Sequence, residues 1–459
     1  MLILIVAVYL AFMLGVGIWC SRTRIEGMTD FLLAGRRLGL VMGAGALAAT
    51  HFGGGAVLGG AEYGYKYGMA GIWYGVSTGV GLIALGFFTA RKFRGLALFT
   101  VPDYLEMRYG GKAVRLLGAI LSLAALIGIL AAQVNAAGRA FGILGIDAVA
   151  APVIAVAVFV AYTALGGLWA ASISDMIQLA IGAVGVLIAA VIVASRADAA
   201  GGFEALLTAR DAGAGYLDPF GQGATFVLWL LVPTVMYTLI GQDFYQRLFA
   251  TRDARTARNA ALVGGVFLVL VSVLPTIAGM GARALAPEPM DAGDALPWVL
   301  RELMNPIVGG VILAAILAAI MSTADSLLTS ATSHVVKDIW LGVCRPDTAI
   351  DERRLLVAAR WVTVGVGAVA LVIGLNLPGI VTTLIYSYTM YTAGVLVPVL
   401  GGVLWKGATR AGALAAIVAG SAVALAGITT GFQIGGIPTE VFAAAVSAVA
   451  FVVVSLLRR

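Results

Sequence analysis

The chain has 459 residues, of which 61% are hydrophobic and 11% are charged, and its mean hydropathy is +1.01. These values exclude an ordinary soluble globular protein. Apolar runs of about 20 residues recur from end to end with short polar breaks, as in polytopic helical membrane proteins. The net charge of +6 does not indicate a nucleic-acid partner, because the basic residues lie in loops between the apolar runs.

The apolar runs predict an all-α protein with about thirteen transmembrane helices and no large soluble domain. A surface segment precedes the fourth span, and an aqueous loop at 196–222 follows the sixth. The predicted spans are 2–20, 39–66, 70–90, 114–144, 148–165, 167–195, 224–244, 260–284, 311–337, 356–376, 379–404, 411–430 and 439–457.

Lysine and arginine fix the predicted orientation in the membrane. When the loops are assigned alternately to the two sides, 23 basic residues fall on one side and five on the other. The segment QRLFATRDARTARN after the seventh span contributes four arginines to the rich side. We therefore expect a multi-pass protein of a bacterial-type plasma membrane, with its N-terminus outside and its C-terminus in the cytoplasm.

The ninth span carries a stripe of hydroxyl groups with a carboxylate among them, in the sequence AAIMSTADSLLTSATS. Ser322, Asp325 and Ser326 share one helical face, which continues through later serine and threonine residues. An ionisable group at membrane depth costs about 3 kcal/mol or more, so such groups usually face a cavity, an ion or a partner. Hydroxyl and carboxylate oxygens suit an alkali or alkaline-earth cation. The alternative is a closely packed helix seam, which Asp325 disfavours.

The second span contains three consecutive glycines in the sequence ATHFGGGAVLGG. Each costs about 1 kcal/mol relative to alanine in a helix, so we predict a helix break from His51 to Gly55, with Gly53 to Gly55 non-helical. Such a break offers backbone groups to a ligand. The alternatives are close helix packing and, for His51, a satisfied buried histidine. The seventh span is the predicted counterpart, interrupted at Pro233 and Gly241.

The sixth span adds a second carboxylate, Asp175, on one face with Ser172 and Gln178. No basic residue is close to it in the sequence. Either a bound cation, a remote arginine or a proton must neutralise Asp175.

Four segments together make the chain resemble the sodium/solute symporter family over nearly its whole length: ATHFGGGAVLGGAEYGY, YTALGGLWAASISDMIQ, GQDFYQR and AAIMSTADSLL. The resemblance implies the leucine-transporter fold, with ten core helices in two inverted five-helix repeats. It implies one transmembrane domain over 1–459, divided into an extra span and loop at 1–38, a first repeat at 39–195, a second repeat at 224–405 and two final spans at 406–459.

The resemblance also implies a principal sodium site. Matched residue by residue, its ligands are the backbone carbonyls of Ala49, Phe52 and Ala319 and the hydroxyl groups of Ser322 and Thr323.

Some members of the family hold a second sodium ion, and Asp175, Ser322, Asp325 and Ser326 fall at those positions. Whether Asp325 binds sodium, binds a proton or only accepts hydrogen bonds is left open by the resemblance.

The short sequence motifs of the chain are most similar to those of the choline-transporter branch of this family. That branch surrounds the quaternary ammonium with aromatic side chains. The positions in this chain that match the cage are His51, Val80, Ile129 and Gly241. None of these residues is the aromatic residue that the cage has there. We therefore expect choline not to be a substrate.

The sequence favours a sodium-coupled symporter that imports a small polar organic solute by alternating access, with sodium as the coupling ion and the lipid bilayer as its surroundings. The alternatives are a proton-coupled symporter of the same fold, using Asp175 and Asp325, and a solute-sensing transceptor. An enzyme is not expected, because the sequence shows no nucleophile–base set or metal cluster. The predicted solute contacts, beside the glycine break, are His51, Gly53, Gly54, Gly55, Gln133, Tyr237 and Gln242.

Overall fold

The structure is a computed structural model that describes residues 2–147, 149–208, 215–344, 351–376, 380–431 and 437–458. The predicted starts of the fifth span at 148 and of the eleventh at 379, and residues 209–214 of the predicted loop, lie outside these ranges. The helices are α1 (Leu2–Thr23), α2 (Met28–Leu33), α3 (Leu40–His51), α4 (Gly60–Tyr67), α5 (Ile72–Leu85), α6 (Arg91–Gly95), α7 (Val101–Tyr109), α8 (Lys112–Gly142), α9 (Ala150–Ala199), α10 (Phe203–Thr208), α11 (Gly223–Thr238), α12 (Gln242–Ala250), α13 (Ala254–Val271), α14 (Val273–Leu285), α15 (Ala295–Glu302), α16 (Pro306–Ser333), α17 (Glu352–Gly374), α18 (Ile380–Leu404), α19 (Arg410–Thr430) and α20 (Thr439–Leu457).

The number of spans depends on how broken helices are counted. By length and composition, the described residues contain ten helices able to cross a membrane, or eleven if α11 and α12 form one bent span. The 50-residue helix α9 contains both the fifth and the sixth predicted spans. Its backbone is non-helical at Gly167 (φ 51°, ψ −147°), which is where the first of these spans ends and the second begins. The second predicted span is divided between α3 and α4. Each of the thirteen predicted spans therefore has a helical counterpart.

The predicted break in the second span is present but shorter than expected. Helix α3 ends at His51, and Phe52 has φ −78° and ψ 54°, which turns its carbonyl away from the helical direction. The expectation of non-helical backbone at Gly54 and Gly55 is wrong. Gly54 has φ −55° and ψ −38°, and Gly55 begins a π-helical turn that ends at Gly59.

Close packing explains these two glycines better than backbone freedom does. A Cβ atom on Gly54 would lie 2.4 Å from the Cβ of Ala136, and one on Gly55 would lie 2.6 Å from the hydroxyl oxygen of Tyr74. The Gly54 N–H group, which the break frees, donates to Oε1 of Gln133 at 2.8 Å. A buried backbone donor is thereby satisfied by a side chain of α8, as the membrane interior requires.

The seventh predicted span is broken at Gly241. Helices α11 and α12 meet at 45°, and Gly241 has φ −59° and ψ 123°. The expected interruption at Pro233 is wrong, because this residue lies inside α11 without ending it. The two broken spans lie side by side, since α3 packs on α12.

Helix α16 lies at the centre of the bundle. Every residue from Ile312 to Ser333 is buried, and the helix packs against α9, α8, α1, α17 and α3. The hydroxyl stripe predicted from the sequence therefore lies entirely inside the protein, and none of it faces lipid.

Candidate functional site

Oxygen atoms from α3 and α16 converge at the first helix break. The Ser322 hydroxyl lies 2.8 Å from the Ala319 carbonyl oxygen and 3.3 Å from that of Ala49. The Thr323 hydroxyl lies 3.2 Å from the same Ala49 oxygen. Four of the five predicted sodium ligands are therefore connected by hydrogen-bond distances.

The fifth predicted ligand, Phe52, lies at the turn that follows α3, and its ring approaches Gly182 of α9, a residue that also faces Ala319. The predicted set thus consists of three carbonyl and two hydroxyl oxygens, with the hydroxyls almost fully buried. Neutral hard oxygens in a water-poor site suit an alkali cation. The described residues contain no group of three or more His, Cys, Asp or Glu side chains that could hold a metal ion.

A cluster of buried charges lies beside this oxygen set. Nη2 of Arg247 is 3.1 Å from Oδ2 of Asp175 and 3.9 Å from Oδ1 of Asp325, and all three side chains are fully buried. Asp325 also accepts a hydrogen bond of 2.6 Å from the Tyr162 hydroxyl. We call Asp175, Arg247 and Asp325 the charge cluster.

Arg247 also joins the charge cluster to the broken helices. Its Nε donates to the Ala46 carbonyl of α3 at 3.0 Å, and its Nη2 donates to the Ser326 hydroxyl. Ser326 in turn donates to the Ser322 carbonyl at 2.6 Å. The predicted topology placed Arg247 among the arginines of a cytoplasmic loop. That assignment is wrong, because this side chain lies in the protein interior and is the remote arginine that Asp175 needs.

The charge cluster has two carboxylates for one guanidinium. On the face of α9 that carries Asp175, three buried oxygens have no hydrogen-bond partner within the described protein. These are Oδ1 of Asp175, Oγ of Ser172 and Oε1 of Gln178. The arginine therefore leaves one formal negative charge, which a cation or a proton must neutralise, and acceptors that a cation, a proton or water can satisfy.

A small cavity of about 20 Å³, with room for about one water molecule in this conformation, lies between the two broken spans. It is the candidate solute cavity, and Thr323 of the oxygen set forms part of its wall. Its lining residues are Thr50, His51, Gly55, Tyr74, Ile129, Gln133, Tyr237, Asp243, Thr323, Leu384 and Tyr388.

Four of the seven predicted solute contacts line this cavity: His51, Gly55, Gln133 and Tyr237. The other three do not.

Gly53 and Gly54 lie behind the wall, where added Cβ atoms would clash with Thr323 and Ala136. Gln242 is engaged elsewhere: its Oε1 accepts from the Val101 N–H at 2.8 Å, and its Nε2 donates to Gln246 at 2.9 Å.

The sequence did not identify Asp243, Tyr74 and Tyr388 as lining residues. Asp243 is adjacent to Gln242 in α12, but the two side chains leave the helix in different directions. Gln242 contacts Val101 and Asp243 lines the cavity. The signal available in the sequence was the break at Gly241, which places the first residues of α12 at the cavity. His51 contacts Thr78 Oγ1 through Nδ1 at 3.1 Å and stacks on Phe244 with ring centroids 5.3 Å apart.

Two broken helices around a central helix, with an oxygen set and a cavity at the breaks, define an ion-coupled membrane transporter. The model of the sodium:solute symporter family matches residues 31–420. The chain belongs to this family, and sodium is its coupling ion.

Relatives and solved structures agree with this assignment. The chain is 26% identical to the sodium/pantothenate symporter of Escherichia coli (strain K12), with 91% of this chain and 88% of that protein covered. It is 27% identical to the high-affinity choline transporter 1 of Caenorhabditis elegans, with 82% and 69% covered. A sodium-coupled sialic acid symporter in a substrate-bound outward-open state superimposes with a TM-score of 0.84 at 20% identity, over 100% of this chain and 98% of that one. The predicted leucine-transporter-type fold is confirmed.

We expect Ser322→Ala and Thr323→Ala each to weaken sodium binding by about tenfold or more, equivalent to about 1.4 kcal/mol for a lost ligand. The measurement is sodium-dependent thermal stabilisation of the purified protein. Ser447→Ala is a matched control, because Ser447 is also a buried serine in a transmembrane helix but lies in α20 and donates to the Ala416 carbonyl at 3.0 Å. Normal sodium affinity in both α16 variants would show that Ser322 and Thr323 do not bind the ion.

We expect Arg247→Met to destabilise the protein strongly, by about 3–5 kcal/mol, because it leaves two buried carboxylates without their cation. Adding Asp175→Asn should recover part of the loss, since it removes one unpaired charge. Thermal unfolding in detergent measures both effects.

The control for this prediction is Arg252→Met in the same segment. The Arg252 side chain is 66% exposed and pairs with Asp253 at 3.2 Å, a surface contact worth at most about 1 kcal/mol. Equal destabilisation by the two arginine substitutions would contradict the role given to the charge cluster.

Proposed function

We propose that this protein takes up a small polar organic solute across the plasma membrane, with sodium bound by Ala49, Phe52, Ala319, Ser322 and Thr323 and the solute bound in the adjacent cavity. One observation carries the proposal. The Thr323 hydroxyl contacts the Ala49 carbonyl, and the same residue lines the cavity. Ion and solute therefore share a wall, so each changes the surroundings of the other.

Sodium would act by joining the broken helix α3 to the central helix α16. In the described contacts, Ala49 is held to α16 by hydrogen bonds from Ser322 and Thr323. A cation among these oxygens strengthens that connection in the conformation that brings them together. It thereby shifts the equilibrium between conformations, and it can do so only to the extent of its differential affinity for them.

The solute is polar in this proposal because hydroxyl, amide and carboxylate groups line the cavity together with apolar side chains. The pantothenate and choline transporters among the relatives also act on small polar compounds. We place the two repeats at 39–195 and 224–405, between the first span and the last two.

We also propose a second sodium ion at Asp175, Asp325 and Ser326, whose binding requires the Arg247 guanidinium to move, because its Nη2 lies among these three side chains in this conformation. One formal negative charge remains after Arg247 is counted. The unpartnered Oδ1 of Asp175 and the hydroxyl of Ser326 supply oxygen ligands to a cation. A proton shared by the two carboxylates is the second candidate, and it would give sodium and proton coupling in one transporter.

Sodium-driven uptake and its stoichiometry are tested together. Proteoliposomes containing the purified protein should accumulate a member of a labelled panel (amino acids, vitamins, sugars and carboxylates) only under an inward sodium gradient. Binding of ²²Na⁺ to the protein should be sigmoidal, with a Hill coefficient above one that Asp175→Asn or Asp325→Asn reduces towards one.

Hyperbolic sodium binding together with near-normal uptake by Asp325→Asn would show that the carboxylates hold a proton and not a second sodium ion. The reason is that an amide resembles a neutral carboxylic acid. Equal uptake in sodium and potassium gradients would contradict the proposed function itself.

The proposed orientation places the end of the π-helical segment His334–Cys344 in the cytoplasm. Cys344 is exposed, whereas Cys20 is buried. A membrane-impermeant maleimide should therefore label the protein in intact cells only after permeabilisation, and Cys344→Ser should abolish the labelling. Labelling of Cys344 in intact cells would show that the orientation is the opposite of the one proposed.

A further inference from the structure

The candidate solute cavity contains one carboxylate, that of Asp243, which the sodium set and the charge cluster do not use. Asp243 is 2% exposed and lies in the first turn of α12. Within the described part of the chain, no lysine, arginine or histidine pairs with its side chain at 4.0 Å or less. A buried charge without a partner is costly, so this side chain is either protonated or paired with a cation in the cavity.

The neighbours of Asp243 hold the carboxylate in place without neutralising it. The Tyr237 hydroxyl donates to its Oδ1 at 3.0 Å. Its position at the start of α12 favours the negative charge through the free N–H groups and the dipole of that helix. Arg247, four residues later, contacts only the Asp243 backbone carbonyl, at 3.3 Å, and directs its Nη2 to Asp175 and Ser326.

Aromatic rings of the cavity add a second attraction for a cation. Tyr237 and Tyr388 stack with their ring centroids 4.9 Å apart and an interplanar angle of 26°, and Tyr74 also lines the cavity. Tyrosine faces attract a positively charged nitrogen. Three tyrosines therefore line the cavity beside the carboxylate of Asp243.

We propose that Asp243 selects a solute that carries a protonated primary or secondary amine, such as an amino acid or a small biogenic amine. This inference rests on the proposed function, because it assigns the solute of the same cavity. An N–H-bearing ammonium group can donate to the carboxylate oxygens while it contacts the tyrosine faces. A quaternary ammonium has no N–H to donate, which agrees with the expected exclusion of choline.

Asp243 could instead serve only to stabilise the start of α12. Asparagine keeps the oxygen that accepts from the Tyr237 hydroxyl and loses only the interaction of the charge with the helix dipole. Asp243→Asn therefore separates the two roles, since it keeps the size and the hydrogen-bonding oxygen and removes only the charge.

The test is thermal unfolding of the purified full-length protein in sodium or potassium chloride with pairs of solutes that differ at the nitrogen. The probes are the standard amino acids, ethanolamine and putrescine, together with deaminated partners such as L-lactate for L-alanine, tetrahydrofuran-2-carboxylate for proline and ethylene glycol for ethanolamine. At least one amine should stabilise the wild type in sodium, and its deaminated partner should bind at least tenfold more weakly. Asp243→Asn should weaken binding of that amine by tenfold or more while stabilisation by sodium alone persists.

Asp253→Asn is the matched control. It makes the same chemical change at the start of α13, where Asp253 accepts from the Thr256 N–H at 2.7 Å, and it should keep the amine affinity of the wild type. The inference is overturned if no amine stabilises the protein, if deaminated partners bind equally well, or if Asp243→Asn binds the amine within threefold of wild type. If Asp243→Asn fails to fold, the comparison of paired solutes on the wild type still decides whether the protein selects an amine, and absence of that selectivity overturns the inference. Equal binding of the amine in sodium and potassium would instead count against sodium coupling and leave the amine selectivity standing.

Discussion

The buried guanidinium of Arg247 is the interaction on which the arrangement of the core depends. It extends from α12 to Asp175 of α9, to Ser326 of α16 and to the Ala46 carbonyl of α3. A charge at this depth is costly unless it is paired and hydrogen-bonded. These four helices must therefore keep their relative positions in this conformation, and three of them, α3, α12 and α16, also contribute residues to the candidate solute cavity.

The two helix breaks give this core its polar chemistry. Ending α3 at His51 leaves the Ala49 carbonyl for the hydroxyls of Ser322 and Thr323, and the Gly54 N–H for Gln133. Every backbone group freed in a membrane must find a partner, so a break needs side chains on the neighbouring helices. The partners on α16 are hydroxyls that can turn from a carbonyl to a cation, which makes them suitable as proposed sodium ligands.

Helix α12 connects the two halves of the proposed mechanism. Asp243 and Arg247 are four residues apart, yet the carboxylate lines the solute cavity and the guanidinium enters the charge cluster. A solute that pairs with Asp243 and cations that bind near Asp175 would therefore act on the same short helix. The turn before Gln242 separates α12 from α11, so α12 is a short helix of its own that both proposed sites contact. This provides a physical route for coupling solute to sodium.

The sequence by itself determined the membrane class, the helical spans, the presence of a break in the second and seventh spans, and the hydroxyl stripe of α16. These depend on local properties: runs of apolar residues, consecutive glycines and hydroxyls at helical spacing. Only the tertiary structure decided which side chains meet across helices. It directed Gln242 towards Val101 and Asp243 towards the cavity, a difference of one residue that depends on how α12 is rotated about its axis. It also moved Arg247 from a predicted cytoplasmic loop to the interior, because the partners that compensate its charge come from residues 72 and 78 positions away in the chain.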